Sequence, residues 1–201
     1  MNVTLLVIAK EPVPGRVKTR LTPPYTPERA AAIAASALAD TLDAVARTPA
    51  RRRILALAGN PGPWLPPCFE VMPQRGDGLD ERLANAFAAT GGPTVVIGMD
   101  TPQITPAILT DAARRLEDCD AVFGPAADGG FWLLGLRVPD PDLLLGVPMS
   151  RPDTGACQLR RLDGLRVATL GTLVDVDTAD DAVRVAAQAP GTRFAAAVGA
   201  P

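Results

Sequence analysis

VTLLVIAKEPVPGRVKTRL, Val3 to Leu21, decides how the rest of the chain is read. Its first seven residues, Val3 to Ala9, are apolar or β-branched without alternation, the pattern of a strand buried on both faces. Pro12, Pro14 and Gly15 then stop both strand and helix. Within that turn Lys10, Arg16, Lys18 and Arg20 are offset by one acid, Glu11, a net +3 in a chain whose net charge is −2. A basic loop leaving the carboxyl end of a first buried strand is where open α/β sheets hold phosphate groups. The loop is therefore expected to grip the phosphates of a nucleotide.

The residues that follow alternate helix and strand signals. Thr26-Pro27-Glu28 combines an N-cap, a first-turn proline and an acid, and opens an Ala-rich helix reaching about Arg47. Strands are expected over Arg53 to Ala58, Phe69 to Met72, Thr94 to Asp100, Ala121 to Gly124, Phe131 to Leu136 and Arg166 to Leu170. Helices are expected over Leu79 to Thr90, from Thr105-Pro106 to about Glu117, over Asp153 to Leu162, and from Thr178 to about Ala189. This alternation argues for a three-layer α/β/α domain with a mostly parallel mixed sheet and helices on both faces. One nucleotide-binding domain is expected over residues 1–189, followed by a loose tail at 190–201.

Composition narrows the chemistry. The 201 residues suffice for one core, and 47% hydrophobic with 21% charged residues is ordinary for a soluble globular protein. The small net charge gives no general attraction to nucleic acid or to an anionic membrane. MNVTLLVIAK has no basic n-region and too short an apolar run for a signal peptide or a span, so no membrane partner is expected. Cys68, Cys119 and Cys157 lie far apart without metal spacing, which fits a reducing cytoplasm. The chain has no histidine, which excludes His-based triads, His acid–base chemistry and His-ligated zinc. Carboxylates, Lys and Arg, backbone dipoles and a hard metal ion are what remain.

Four charged clusters fall at the carboxyl ends of expected strands. The first is the basic loop, whose Gly15-x-x-Lys18-x-Arg20 spacing is neither a Walker A nor a dinucleotide fingerprint. The second is Asp100, delivered to the sheet edge by six largely apolar residues. An unpaired carboxylate there is costly, and Mg²⁺ shared with substrate phosphates is a common solution. The third is Val174-Asp175-Val176-Asp177, whose alternation puts both acids on one face. Taken alone, Asp177 reads as a helix N-cap with Asp180 as the capping acid; pairing with Asp100 would make it a metal ligand. The fourth is Asp128-Gly129-Gly130 with Phe131-Trp132, which suits either a hairpin turn or an acceptor pocket. Gly76-Asp77-Gly78 reads as a flexible loop from which Arg75 or Arg82 could reach an anion, and Arg51-Arg52-Arg53 as a solvated edge.

AKEPVPGRVKTRL, QRGDGLDERLANAF, VVIGMDTPQIT, GPAADGGFWLLGL and VDVDTADD together resemble a bacterial family usually labelled glycosyltransferase. That family has the Rossmann-like GT-A, or nucleotide-diphospho-sugar transferase, fold and is similar to 2-phospholactate and molybdenum-cofactor guanylyltransferases. The resemblance implies Mg²⁺ (or Mn²⁺) on Asp100 and Asp177, with Asp175 a rival to Asp177. It also implies Lys18 and Arg20 on the nucleotide phosphates. Ala9, Lys10, Gly15, Arg16, Gly76 and Gly98 complete the expected nucleotide contacts. Ala179 stands where relatives often carry Pro, and Pro148 to Arg151 replace a Trp-Ser-Thr-like element.

The function expected is transfer of a nucleotidyl group from an NTP to a phosphate or carboxylate acceptor, with release of pyrophosphate. Such an acceptor is already anionic and needs no general base, which suits a chain without histidine. A GT-A glycosyltransferase using an NDP-sugar, with Asp128 as base, is the alternative enzyme. A nucleotide-binding protein without catalysis is the third reading. The partners are thus a nucleotide and a small-molecule acceptor, and a homodimer is compatible with the sequence.

Overall fold

The computed structural model describes residues 1–199. Its chain runs β1 (Thr4–Lys10), α1 (Pro27–Arg47), β2 (Arg52–Ala58), β3 (Glu70–Pro73), α2 (Leu79–Ala88), β4 (Thr94–Gly98) and α3 (Pro106–Asp118). It continues through β5 (Ala121–Pro125), β6 (Phe131–Leu136), α4 (Thr154–Arg161), β7 (Val167–Thr169), α5 (Ala179–Gln188) and α6 (Arg193–Gly199). The seven strands form one sheet in the order β3-β2-β1-β4-β6-β5-β7, parallel except for β6. This is the mixed, mostly parallel sheet that the strand and helix signals predict.

The central strand explains why both faces must be covered. Leu5, Val7 and Ala9 of β1 enter a core shared with α1 and α3, while Leu6 enters a second core with Leu83 and Phe87 of α2. Successive side chains of a strand point to opposite faces, so an unbroken apolar run feeds two cores at once. Thr26 caps α1 by accepting from Arg29 N at 3.2 Å, and Thr105 caps α3 by accepting from Ile108 N at 3.3 Å. Each is followed by proline in the first turn.

The carboxyl-terminal tail is not loose, contrary to expectation. From Arg193 it forms α6, whose Phe194 is fully buried in a third core with Leu21, Ile33, Val176 and Val185. Asp40 of α1 accepts from Phe194 N at 2.8 Å and from Arg193 N at 3.2 Å. Burying one phenylalanine side chain contributes roughly 1.5–3 kcal/mol, enough to hold a short helix. Residues 200–201 of the expected tail lie outside the described residues.

Two boundaries bear on the site. β4 ends at Gly98, so Asp100 lies on the loop beyond the strand. Val174 to Asp177 is not a paired strand: Leu173 N donates to Pro125 O at 3.1 Å and Val176 N to Asp100 O at 3.0 Å. Those bonds carry the chain from the β7 edge back across the sheet to the end of β4.

Candidate functional site

The carboxyl ends of β1 and β4 are neighbours, and everything that converges there does so because of that pairing. Glu11, the one acid of the basic loop, is turned aside: its Oε2 accepts from Asn60 N at 2.9 Å beyond β2. Val17 and Leu21 are buried and anchor the loop on either side of Lys18. Lys18 itself has φ 49°, ψ 39°. A left-handed conformation costs an ordinary residue about 1–2 kcal/mol, and such strain collects at functional positions.

That backbone aims the Lys18 side chain inward, leaving it 9% exposed. Its Nζ lies 2.8 Å from Asp100 Oδ1 and 3.4 Å from Asp177 Oδ1, and donates to the Val176 carbonyl. Arg20 stays exposed, with Nη1 3.4 Å from Asp177 Oδ2. Burial works against the lysine's charge, but Asp100 and then Asp177 outweigh it, so its pKa lies above the ordinary lysine value. Asp175 is shifted in the opposite sense. Burial, then the charges of Asp100 and Asp128, raise its pKa to about 7 against the opposing effect of Lys18. Four carboxylates thus share one region around a single buried ammonium.

Asp177 is not a helix cap. Thr178 caps α5, accepting from Asp181 N at 3.2 Å, while Asp181 Oδ2 accepts from Thr178 N at 3.0 Å. The capping acid is therefore Asp181 in place of Asp180, and the box leaves the Asp177 carboxylate free to meet Lys18 and Arg20.

Asp128 sits on the turn between the antiparallel strands β5 and β6. Its Oδ1 accepts from Gly130 N at 2.8 Å. The turn is pressed onto the start of α4, with Gly155 N donating to Gly129 O at 2.8 Å. Gly129 has φ +90°, and a Cβ on it would come within 1.9 Å of the Pro152 carbonyl oxygen. Only glycine fits there. The hairpin and the cleft wall are the same turn.

These groups line one cleft of about 690 Å³, within the range of small-molecule sites. Ala9, Lys10, Arg16, Lys18, Arg20, Gly98, Asp100, Asp128 and Asp177 all line it. Gly15 and Gly76 do not. Gly15, at φ +74°, shapes an exposed turn with nothing near it, and Gly76, at φ +117°, packs against Glu81. Gln74, which no sequence motif singles out, also lines the cleft: its Nε2 donates to Ala9 O at 2.8 Å and Ala56 O at 2.9 Å, stitching the ends of β1 and β2. Phe131, Met149 and Leu79 form an apolar wall, for which the Phe131-Trp132 pair was the signal.

The donor set suits a hard divalent cation. Carboxylate oxygens and a backbone carbonyl favour Mg²⁺ or Mn²⁺, and the Lys18 ammonium already occupies a cation's place between Asp100 and Asp177. Among the described residues no group of three or more His, Cys, Asp or Glu side chains is arranged to hold a metal unaided. An ion here would take its remaining ligands from substrate and water.

A family model described as "Uncharacterized protein conserved in bacteria (DUF2064)" matches residues 31–151. No curated protein matches the sequence. Among solved structures, a candidate nucleotide-diphospho-sugar transferase from Desulfovibrio desulfuricans is 27% identical with a TM-score of 0.87, covering 98% of this chain and 94% of that one. Rv0371c of Mycobacterium tuberculosis, solved as a manganese complex, is 22% identical with a TM-score of 0.55 over 92% and 97% of the two chains. The 2-C-methyl-D-erythritol 4-phosphate cytidylyltransferase of Thermus thermophilus is 17% identical with a TM-score of 0.59 over 94% and 99%. At such identities the last two establish a shared fold.

Proposed function

For a chain that belongs to the DUF2064 family of bacterial proteins, we propose a divalent-metal-dependent transferase acting on a nucleotide, specifically a nucleotidyltransferase. The coarser statement, a transferase of the nucleotide-using fold, follows from neighbours of that kind across nearly the whole chain. The observation that carries the finer one is Lys18 Nζ within 2.8 Å of Asp100 and 3.4 Å of Asp177. Those contacts bring cations from the amino-terminal loop and acids from two distant segments to one strand edge.

In the reaction an acceptor oxyanion forms a bond to the α-phosphorus of an NTP while the bond to the bridging α–β oxygen breaks and pyrophosphate leaves. Lys10, Arg16, Lys18 and Arg20 line the cleft from one side and would bind the polyphosphate. Asp100 and Asp177 would hold a divalent ion, which when bound neutralises phosphate charge and orients the leaving group. Asp128, held by Gly130 N and lining the same cleft, would border the acceptor. The work of the residues is positioning and charge compensation.

One observation favours glycosyl transfer as a second reading. Asp175, with a pKa near 7, and the neighbouring Asp128 could serve a hydroxyl acceptor as base. Mixing the protein with Mg²⁺, each NTP and a panel of phosphorylated and carboxylic acceptors, and assaying pyrophosphate, tests the leading reading. NDP released from NDP-sugars without pyrophosphate from any NTP would replace it with the second. Nucleotide binding with neither product would leave a non-catalytic binder.

A further inference from the structure

We propose that the seat between Asp100 and Asp177 admits a divalent cation only as a complex with polyphosphate, because Lys18 is the seat's resident cation and leaves it only for phosphate. The inference rests on the metal-dependent reading above and specifies the form in which the ligand arrives. An ammonium has three donors and no acceptor. The Val176 carbonyl and Asp177 Oδ1 accept from Lys18 Nζ, and Asp100 Oδ1 pairs with it at 2.8 Å. A divalent ion drawn to the same two carboxylates meets a like charge that fills their inner face.

The ammonium cannot simply retreat. Its side chain is 9% exposed, and the loop is anchored by buried Val17 and Leu21, so the side chain moves while the backbone stays. Stripped of Asp100 and Asp177, the lysine would be a buried charge that has lost both of its ion pairs, which is costly. Phosphate oxygens would restore its partners and also complete the ion's coordination, for which the described residues group fewer than three acid, His or Cys side chains. Lys10 and Arg16 line the same cleft, and neither side chain has an ion pair or hydrogen bond among the described residues. They are free to meet the rest of the polyphosphate. Metal and phosphate therefore bind with positive coupling, and the coupling runs through one side chain.

The test uses the full chain and two probes. Free Mn²⁺ binding is followed by loss of the aqua-ion EPR signal, and binding of preformed Mn²⁺·tripolyphosphate by calorimetry. The wild type should bind free Mn²⁺ weakly and the complex well. Lys18→Met should bind free Mn²⁺ about tenfold more tightly and the complex about tenfold more weakly, opposite movements that loss of folding cannot produce. Lys18→Arg, which keeps a resident cation, should still bind free Mn²⁺ weakly. Free-Mn²⁺ affinity unchanged or lowered in Lys18→Met overturns the inference while leaving the metal site standing. If Asp100→Asn binds both probes as the wild type does, the metal reading itself fails, and the inference with it.

Discussion

Two groups of charged side chains at opposite edges of the sheet are built from the same residue types and end in opposite electrostatic states. At the amino end of β5 one acid, Asp120, is met by Arg137, by Arg166 Nε at 3.5 Å and by Arg166 N at 2.9 Å. The backbone hydrogen bond and then the two guanidiniums hold its carboxyl below the ordinary aspartate range. At the carboxyl ends of β1 and β4, Asp100, Asp128, Asp175 and Asp177 gather around the Lys18 ammonium, and Asp175 is pushed up to about 7. The first cluster is complete without a ligand, a latch between β5, β6 and the start of β7. In the second, four carboxylates face Lys18 and Arg20 inside a cleft that Lys10 and Arg16 also line, and among the described residues no contact pairs those two cations with an acid. Clustered carboxylates with unpaired cations beside them, at the ligand-binding edge of an α/β sheet, suit a metal ion that arrives with an anionic ligand.

The largest contrast should be in turnover. Lys18→Ala is expected to lower kcat by roughly 10²–10³, the effect of losing one aimed electrostatic donor, whereas Asp120→Ala should leave kcat within about twofold. Steady-state rates of pyrophosphate release compare the two. Equal losses in both variants would erase the distinction drawn between latch and site.

Stability should separate the clusters by the sign of its pH dependence. Asp175 has a folded pKa near 7 against 3.8 in the ordinary state, so the folded protein holds a proton that the unfolded chain has released between about pH 4 and 7. Stability therefore falls as pH rises through that window. Asp175→Asn should abolish the slope and be more stable than the wild type at pH 8, by about 2–4 kcal/mol, in urea unfolding. Asp120 runs the other way. Its folded pKa is depressed, so its contribution is present above the unfolded pKa and lost as acid brings the pH down through the folded value. Asp120→Asn should be less stable than the wild type at pH 7, and the gap should close in acid.

Much of the fold around the candidate site is legible because it is local. The apolar run into Lys10, the prolines that end it and the caps at Thr26 and Thr105 are short-range features whose physics needs no partner. Asp100 could be read the same way, as an acid at the end of an apolar run. What could not be read depends on contacts between remote segments. Asp177 looks like a helix cap until Thr178 and Asp181 are seen to fill that role. The inward aim of Lys18 depends on Val176, which reaches the site only because Leu173 docks beside Pro125. Gln74 spends its amide on two carbonyls that no spacing rule associates with it. The tail hides its helix because its one aromatic among the described residues, Phe194, packs on Leu21, α1, Val176 and α5, contacts that no local pattern shows.

Thermal unfolding with NTP and Mg²⁺ together, measured on the wild type, Asp100→Asn and Asp120→Ala, tests most directly whether the cleft is where a metal and a polyphosphate meet. At about 100 times Kd the ligand pair should stabilise by about 2.7 kcal/mol, a rise of roughly 5–10 °C in a chain of this size. The wild type and Asp120→Ala should both show that rise and Asp100→Asn should not. A rise that survives Asp100→Asn, or is missing from the wild type with every NTP, would contradict the account.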